Sequence, residues 1–417
     1  MESTGPLITN DAVVLGILFA ILAWVFKTSS STSPGWRKFY TFVPSLLLCY
    51  FLPSVLNSLG IISGDTSNLY FMASRYLLPA SLVLLTLSVD LGAVLRLGPK
   101  AVTMFLTGTI GVVIGGPLAI LTFSFFAPDL VGGAGPDAVW RGLTTVAGSW
   151  IGGGANQAAM KEIFNVGDQV FSAMVAVDVI VANIWMACLL YAAGRSKAFD
   201  AKLKADASAI EVVKQKVEEY QASIGRIPKL SDSMIMLAVA FSVVAIAHVV
   251  ADSVAPAIEA GMPELSRFSL TSKFFWLIST ATAGGVLLSF TRARRLEGVG
   301  ASRVGSVFIY VLVATIGMKM DLTAVVKSPG YFAIGLLWIA IHAGLLILVA
   351  KLIRAPVFFL AVGSQANIGG AASAPIVASA FHPALAPVGV LMAVVGYVLG
   401  TYAAWLCGQL MRIASGG

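Results

Sequence analysis

One short stretch sets the architecture of this chain: Gly148-Ser149-Trp150-Ile151-Gly152-Gly153-Gly154-Ala155-Asn156-Gln157. A second stretch has the same character: Gly363-Ser364-Gln365-Ala366-Asn367-Ile368-Gly369-Gly370-Ala371-Ala372-Ser373. Each begins with Gly-Ser, contains adjacent glycines and lies inside an apolar region. Because a glycine weakens a helix by about 1 kcal/mol, we predict a helix break at each stretch. Two such breaks in corresponding positions are the sequence sign of a transporter binding site in the middle of a membrane.

The composition indicates the class of protein. Of the 417 residues, 58% are hydrophobic and 11% are charged, whereas soluble proteins carry about 25% charged residues. We therefore predict a multi-pass integral membrane protein. The net charge of +7 does not indicate nucleic acid, because the basic residues fall mainly between the apolar segments and report membrane orientation. The cysteines Cys49, Cys188 and Cys407 have no metal-ligand spacing and are interpreted as packing or lipid-facing residues.

Apolar segments occur in two sets on either side of a polar linker. The first set lies near residues 11–27, 39–57, 75–95, 100–127, 141–165 and 168–193. The second set lies near residues 233–253, 269–290, 303–319, 330–351, 357–381 and 384–411. The linker, residues 194–231, is rich in lysine and arginine, which places it in the cytoplasm. We also predict a surface helix over residues 201–223. No cleaved signal or transit peptide is apparent before the first apolar run.

The basic residues distinguish two topologies. If every apolar segment crossed the membrane, the basic loop at residues 27–38 would face away from the basic linker. If the glycine-interrupted segments 141–166 and 357–381 are re-entrant hairpins instead, all basic clusters share the side of the linker. We therefore predict an all-α fold with five spanning helices and one hairpin in each half, and with both termini outside. Continuous broken helices that cross fully are the structural alternative.

An odd number of crossings in each half makes the second half inverted relative to the first. A second internal match supports this repeat: Asp90-Leu91-Gly92-Ala93-Val94-Leu95-Arg96 against Asp321-Leu322-Thr323-Ala324-Val325-Val326-Lys327. Each element follows an apolar segment and precedes a proline and the next apolar segment. We predict that residues 1–193 and 232–417 form two inverted repeats.

These motifs resemble those of a known protein family. The two glycine stretches, the duplicated Asp-Leu elements and the opening Ile8-Thr9-Asn10-Asp11-Ala12-Val13-Val14-Leu15-Gly16 resemble DUF819 membrane proteins of bacteria, archaea and plants. That family is similar to antiporters, bile-acid symporters, 2-hydroxycarboxylate transporters and sodium/glutamate symporters. The resemblance implies an elevator-type transporter, with a scaffold that holds a homodimer and a mobile domain that contains the hairpins. It implies a bacterial inner membrane or a plant organelle membrane, but no substrate.

The chemistry of the paired hairpins follows from their broken helices. A half-helix N-terminus carries about half a positive charge and free N–H groups, so it suits a carboxylate or similar anion. Released carbonyl oxygens, with amide and hydroxyl side chains, suit Na⁺. The predicted substrate-binding residues are Ser149, Gly152, Gly153, Gly154, Asn156, Gln157, Ser364, Gln365, Asn367, Gly369, Gly370 and Ser373. The alternative is that the glycines only allow close helix packing and the amides bond between helices.

Asp178 is the predicted ion-coupling residue. It lies near the middle of its apolar segment, where an ionised carboxylate costs at least about 2–3 kcal/mol unless it is paired or hydrated. We predict that Asn156 and Asn367 assist it, and that a coupling Na⁺ lies at Asp178 and Asn156. A structural cap held by the neighbouring hairpin is the alternative role for this aspartate.

Other polar residues in the apolar segments receive simpler interpretations. A lone membrane histidine is more often a hydrogen-bonded packing residue than a proton carrier, which is how we interpret His248 and His342. Lys161 and Glu162 flank the returning limb of the first hairpin. Because adjacent residues on a helix do not face each other, each needs its own partner, and both are predicted to lie at the rim.

The sequence favours transport over catalysis. Neither a Gly-x-x-x-x-Gly-Lys motif nor a His-Glu-x-x-His motif occurs, and the only long polar stretch is the linker. We predict a non-enzymatic secondary active transporter without a cofactor, which moves an amino-acid-, peptide- or carboxylate-like anion coupled to Na⁺, or alternatively to H⁺. A passive anion channel or facilitator is the second class, and a structural or signalling membrane protein is the third. The expected partners are lipid and the small anion.

Overall fold

The structure is a computed structural model that describes residues 6–43, 45–87, 95, 97–133, 135–205, 228–268, 270–319, 329–382 and 385–416. Within these ranges it contains helices and turns but no strand. The first half forms α1 (Asp11–Ser29), α2 (Pro34–Phe42), α3 (Ser45–Ser58), α4 (Leu69–Leu87), α5 (Pro99–Phe126), α6 (Val139–Ile163) and α7 (Asp168–Gly194). A short helix, α8 (Ser196–Leu203), follows. The second half forms α9 (Leu230–Gly261), α10 (Lys273–Ser289), α11 (Ala301–Gly317), α12 (Gly330–Ile353), α13 (Val357–Ile368), α14 (Gly370–Phe381) and α15 (Ala386–Ala414).

The start of α1 shows how local chemistry places an element. The side chain of Asn10 accepts hydrogen bonds from the backbone N–H groups of Ala12 and Val13, at 2.9 and 3.3 Å, and so caps the helix. Asp11 in the first turn complements the positive end of the helix dipole. The same carboxylate accepts a hydrogen bond from the hydroxyl of Ser67 at 2.7 Å, which ties the loop before α4 to the start of α1.

Within the described part of the chain, seven helices are long and apolar enough to cross a membrane, namely α1, α4, α5, α7, α9, α12 and α15. An eighth span is formed if α10 is counted with the short helix Arg292–Val299, which bends away from it by 96°. The two remaining predicted crossings correspond to shorter apolar helices, Leu47–Ser58 within α3 and the whole of α11. The predicted surface helix at 201–223 and the paired Asp-Leu elements lie mainly outside the described residues.

The first glycine stretch folds back on itself. Within α6, Gly153 has φ 70° and ψ −173°, a conformation that interrupts the helix and favours glycine. The backbone N–H of Gly167, after α6, donates to the carbonyl of Pro136, before α6, at 2.8 Å. A straight helix of 25 residues would separate these ends by about 37 Å. The two limbs therefore form a helical hairpin, called the first hairpin below.

The second glycine stretch makes a similar turn between α13 and α14. Gly370 has φ 56°, and the amide nitrogen of Gln365 on one limb donates to the hydroxyl of Ser373 on the other at 2.6 Å. At the base, the rings of Phe358 and Phe381 lie 5.3 Å apart. Both glycine stretches thus break their helices, and both segments turn back, as predicted, rather than running straight through. We call α13 and α14 together the second hairpin.

The helices pack as two groups. Group A contains α1–α4 and α9–α11, and group B contains α5–α7 and α12–α15. Contacts within group A include α4 against α10 and α11, and α9 against α10. Contacts within group B include α5 against α12 and α13, and the first hairpin against α15. Each group draws helices from both halves of the chain, so the boundary between the groups does not follow the boundary between the halves.

The two hairpins have their bases at opposite ends of the molecule. Helix α7 begins at Asp168, beside the base of the first hairpin, and it is 27 residues or about 40 Å long. It ends beside α8, whose Asp200 carboxylate accepts a 2.8 Å hydrogen bond from the backbone N–H of Val357 at the base of the second hairpin. We call this the linker end of the molecule. The opposite end, where the N–H of Leu7 bonds the carbonyl of Gly60, is called the terminal end.

Candidate functional site

A cavity of about 480 Å³ lies between groups A and B at the tips of both hairpins. Helix α7 contributes Asp178, Ala182 and Asn183 to its wall, and group A contributes residues of α1, α2, α3, α4 and α11. The predicted site residues that line it are Ser149, Gly153, Gly154, Asp178, Gln365, Gly369, Gly370 and Ser373. Residues from sequence positions more than 200 apart therefore meet at one site.

Five predicted binding residues do not line this cavity: Gly152, Asn156, Gln157, Ser364 and Asn367. All five lie on the hairpins, but their side chains or backbone face neighbouring helices. The sequence prediction placed every polar residue of the two stretches at the site, whereas each hairpin has one face toward the cavity and its other faces toward neighbouring helices.

Asn156 joins the first hairpin to α15. Its amide nitrogen donates to the carbonyls of Gly152 and Tyr397, at 3.0 and 3.3 Å, and its oxygen accepts a 2.7 Å hydrogen bond from the hydroxyl of Thr401. Gly400 has no side chain, and a Cβ built there would lie 2.5 Å from the amide nitrogen of Asn156. Asn156 is buried and does not line the cavity with Asp178, so the cation site at these two residues stays a prediction.

Asn367 joins the second hairpin to α5 by the same set of bonds. Its amide nitrogen donates to the carbonyls of Gly363 and Phe105, at 2.9 and 3.0 Å, and its oxygen accepts a 2.7 Å hydrogen bond from Thr109. We call these two arrangements the asparagine clasps. Asn367 therefore bonds within group B and does not line the cavity, and its role beside Asp178 stays a prediction.

The clasps reveal a sequence signal that the initial comparison of the two stretches missed. Gly-x-x-Ala-Asn occurs at 152–156 and at 363–367, and aromatic-x-x-Gly-Thr occurs in the partner helices at 397–401 and at 105–109. The structural match therefore pairs Gly152 with Gly363, whereas the sequence comparison paired the two Gly-Ser steps.

Asp178 lies at the cavity wall with 3% of its surface exposed. Its carboxylate accepts a 2.8 Å hydrogen bond from the amide nitrogen of Gln157, and Ser149 and Trp150 of the first hairpin lie beside it. The oxygen of Gln157 in turn accepts a 3.1 Å bond from the hydroxyl of Tyr50 in group A. Among the described residues that line the cavity, Asp178 is the only charged one. The sequence prediction identified Asp178 but not Tyr50, which no motif marks.

His342 and Ser364 form a closed network away from the cavity. The Nδ1 atom of His342 lies 3.0 Å from the carbonyl of Gly108, which only accepts, so Nδ1 carries the proton. In the neutral ring Nε2 is then an acceptor, and it receives the hydroxyl hydrogen of Ser364 at 2.7 Å. Trp185 donates to that hydroxyl at 2.8 Å. The ring nitrogens of His342 and the hydroxyl of Ser364 all have partners, which supports a packing role for both residues.

Comparison with known sequences identifies the family. The family described as "Protein of unknown function (DUF819)" matches residues 16–414, nearly the whole chain. The chain belongs to the DUF819 family. It is similar to the uncharacterized membrane protein YjcL of Bacillus subtilis (strain 168), with 24% identity over 372 residues, which cover 85% of this chain and 86% of the relative. With its apolar helices, this DUF819 protein is a multi-pass membrane protein.

A charged cluster at the terminal end joins the two groups of the DUF819 protein. Arg75, in a π-helical turn of α4, forms a 2.8 Å ion pair with Glu162 of the first hairpin, and Tyr70 donates a hydrogen bond to the same carboxylate. Lys161 pairs with Asp168 at 2.7 Å. Lys161 and Glu162, predicted as rim residues with separate partners, do have separate partners, and Glu162 spans the boundary between groups A and B.

The substitution Glu162→Gln is expected to lower the free energy of unfolding by about 1–3 kcal/mol, because it leaves the partly buried guanidinium of Arg75 without its counter-charge. Thermal unfolding of the purified protein in detergent measures this effect. Asp252→Asn is the matched control, since its 2.8 Å pair with Lys273 has both side chains 62% exposed and is expected to contribute less than about 1 kcal/mol. Equal losses for both variants would contradict a stabilising role of the buried cluster.

Proposed function

We propose that this protein is a secondary active transporter that moves a small organic anion coupled to Na⁺, with H⁺ as the alternative coupling ion. The observation that carries the proposal is the convergence of both hairpin tips and Asp178 on one cavity between two helix groups. The helix that begins at Gly370 directs its N-terminus toward this cavity and is suited to an anion. A buried carboxylate beside it is suited to a cation.

We further propose that the two halves, residues 1–193 and 232–417, are inverted repeats. The contacts between helices occur in corresponding pairs, which supports this proposal: α4 packs on α10 as α11 packs on α3, and α5 packs on α15 as α12 packs on α7. Entry of the two hairpins from opposite ends of the molecule is also expected for inverted halves. In this scheme group A is the scaffold and group B moves against it as an elevator.

The proposed orientation places the linker in the cytoplasm and both termini outside. The cavity wall includes Ser29 at the end of α1, Tyr40 of α2, Ser45 at the start of α3, and Ser306 near the start of α11. These positions lie toward the linker end, whereas the Arg75–Glu162 cluster joins the groups at the terminal end. This arrangement supports a transporter that is open toward the cytoplasm and closed toward the outside.

Thermal unfolding with and without Na⁺ tests the proposal. A ligand that binds only the folded state stabilises it by about 2.7 kcal/mol at a hundredfold excess over its Kd. We expect the purified protein to unfold at a higher temperature in Na⁺ than in K⁺ or choline at equal ionic strength. A rise with decreasing pH instead of with Na⁺ would assign the coupling to H⁺. No effect of either ion would contradict coupled transport and favour a passive facilitator.

A further inference from the structure

The amide of Gln365 is only half satisfied where it meets the cavity. This side chain lines the cavity and is 1% exposed. Its nitrogen donates to Ser373 at 2.6 Å, but its oxygen has no hydrogen-bond partner among the described residues. Buried polar atoms in folded proteins are nearly always paired, so an unpaired acceptor at a binding cavity marks a place for a donor from a ligand.

The N-terminus of α14 lies at the same place. Gly370 and Ala371 begin this helix of 12 residues and line the cavity with Gln365. A Cβ built on Gly370 would meet no atom within 4 Å, so space is open in front of the helix N-terminus. The hydroxyl of Tyr397 is hydrogen-bonded to the backbone of Ala371, and the other N–H groups at this N-terminus favour a carboxylate. An acceptor for N–H and a binding place for a carboxylate therefore lie side by side.

The cavity wall also carries a negative charge. Asp178 of α7 is an acceptor on the cavity wall, and within the described ranges no lysine, arginine or histidine lines the cavity. A simple carboxylate satisfies the helix N-terminus but leaves the oxygen of Gln365 without a donor. A ligand with an amino or amide N–H next to its carboxylate satisfies both groups.

We infer that the substrate is an amino acid or a short peptide, in which an N–H group adjacent to the carboxylate donates to Gln365, rather than a simple carboxylate. This inference rests on the proposed transport function and narrows its substrate class. The cavity volume of about 480 Å³ is within the range of about 300–1,000 Å³ that small-molecule sites occupy. Sites that hydrogen-bond a substrate group strongly reject analogues that lack the group, since the partner is then left unpaired.

Matched pairs of small molecules test the inference on the purified full-length protein in Na⁺. Alanine is compared with propionate, aspartate with succinate, and diglycine with 4-oxohexanoate, so that each comparison compound lacks a donor next to its carboxylate, and apparent affinities are obtained from ligand-dependent thermal shifts. We expect the nitrogen-containing member to bind at least tenfold more tightly in at least one pair. Equal binding of both members in every pair would overturn the inference while leaving transport of an anion intact.

Variants of Gln365 test whether this residue causes the preference for the nitrogen-containing ligand. Gln365→Leu removes the acceptor and should reduce the preference to less than threefold, whereas Gln365→Glu keeps an acceptor and should retain it. Asn183→Leu is the control, because Asn183 also lines the cavity but its amide donates to the carbonyl of Val179 in its own helix, at 2.7 Å. A preference that survives Gln365→Leu, or that is lost equally in Asn183→Leu, would overturn the assignment to Gln365.

The remaining outcomes distinguish a wrong substrate class from a wrong transport function. If no compound binds but Na⁺ still stabilises the protein, the substrate class is wrong and cation coupling stands. If no compound binds and neither Na⁺ nor H⁺ has an effect, the proposed function fails as well.

Discussion

Replacing Asp178 with asparagine is expected to abolish the stabilisation of this protein by Na⁺. The substitution keeps the shape of the side chain and an oxygen that accepts from Gln157, but it removes the only charge among the described residues of the cavity wall. Stabilisation of about 2.7 kcal/mol at a hundredfold excess of Na⁺ over its Kd should fall to near zero. In the absence of Na⁺ the variant should be at least as stable as the wild type, because a buried carboxylate is costly without a bound cation.

Thermal unfolding in Na⁺ and in choline measures both effects. Once a transported substrate is identified, Na⁺-driven uptake into proteoliposomes should be at least a hundredfold lower for the Asp178→Asn variant than for the wild type. Asp65→Asn is the control, since Asp65 is exposed at the terminal end and should behave as the wild type. Retention of the Na⁺ effect in the Asp178 variant would place the cation elsewhere. If the Asp178→Asn variant prefers different anions but transports them at an undiminished rate, the passive anion channel is favoured.

The second large effect is expected for Gly148→Ala, although only one methyl group is added. A Cβ at this position would lie 2.5 Å from the backbone oxygen and 2.7 Å from the backbone carbon of Asn156, on the opposite limb of the first hairpin. Backbone atoms move only if the limbs separate, which would also disturb the clasp of Asn156 on α15. We expect a loss of about 3 kcal/mol or more, at the upper end of overpacking effects.

Gly154→Ala provides the comparison within the same motif. A Cβ there would meet only Ile309, at 3.7 Å, which is an ordinary van der Waals contact. Size-exclusion chromatography in detergent and thermal unfolding should show a well-folded Gly154 variant and an aggregated or strongly destabilised Gly148 variant. Equal stability of the two variants would mean that the limbs of the hairpin are not closely packed in solution.

Much of the fold was predictable because its causes are local. Runs of apolar residues indicate membrane helices, and adjacent glycines indicate where a helix breaks. The positions of the basic residues distinguished hairpins from straight crossings, since only hairpins bring all of these residues to one end. The same reasoning found Asp178, because a lone carboxylate in the middle of an apolar segment needs a special environment.

The finer arrangement of the site was not predictable, because it depends on partners that are distant in sequence. From the sequence, both Asn156 and Ser364 resemble ligand-binding residues. The structure shows that Thr401 donates to the oxygen of Asn156 and that Ser364 bonds to His342. Tyr50 carries no signal of its own and reaches the Asp178 network only through Gln157. The amide of Gln365 was predicted as a binding group, but only the structure shows which of its atoms lacks a partner.

The clasp of Asn156 also has a consequence for how the protein is made. Its partner Thr401 lies 245 residues later in the chain, whereas Asn367 binds helix α5, which has already been synthesised. At about 5–20 residues per second, roughly 12–50 s pass between the synthesis of Asn156 and the synthesis of Thr401. During that time the amide of Asn156 must be hydrated at the membrane surface or shielded by the insertion machinery. The first hairpin can therefore complete its packing only after α15 has been synthesised.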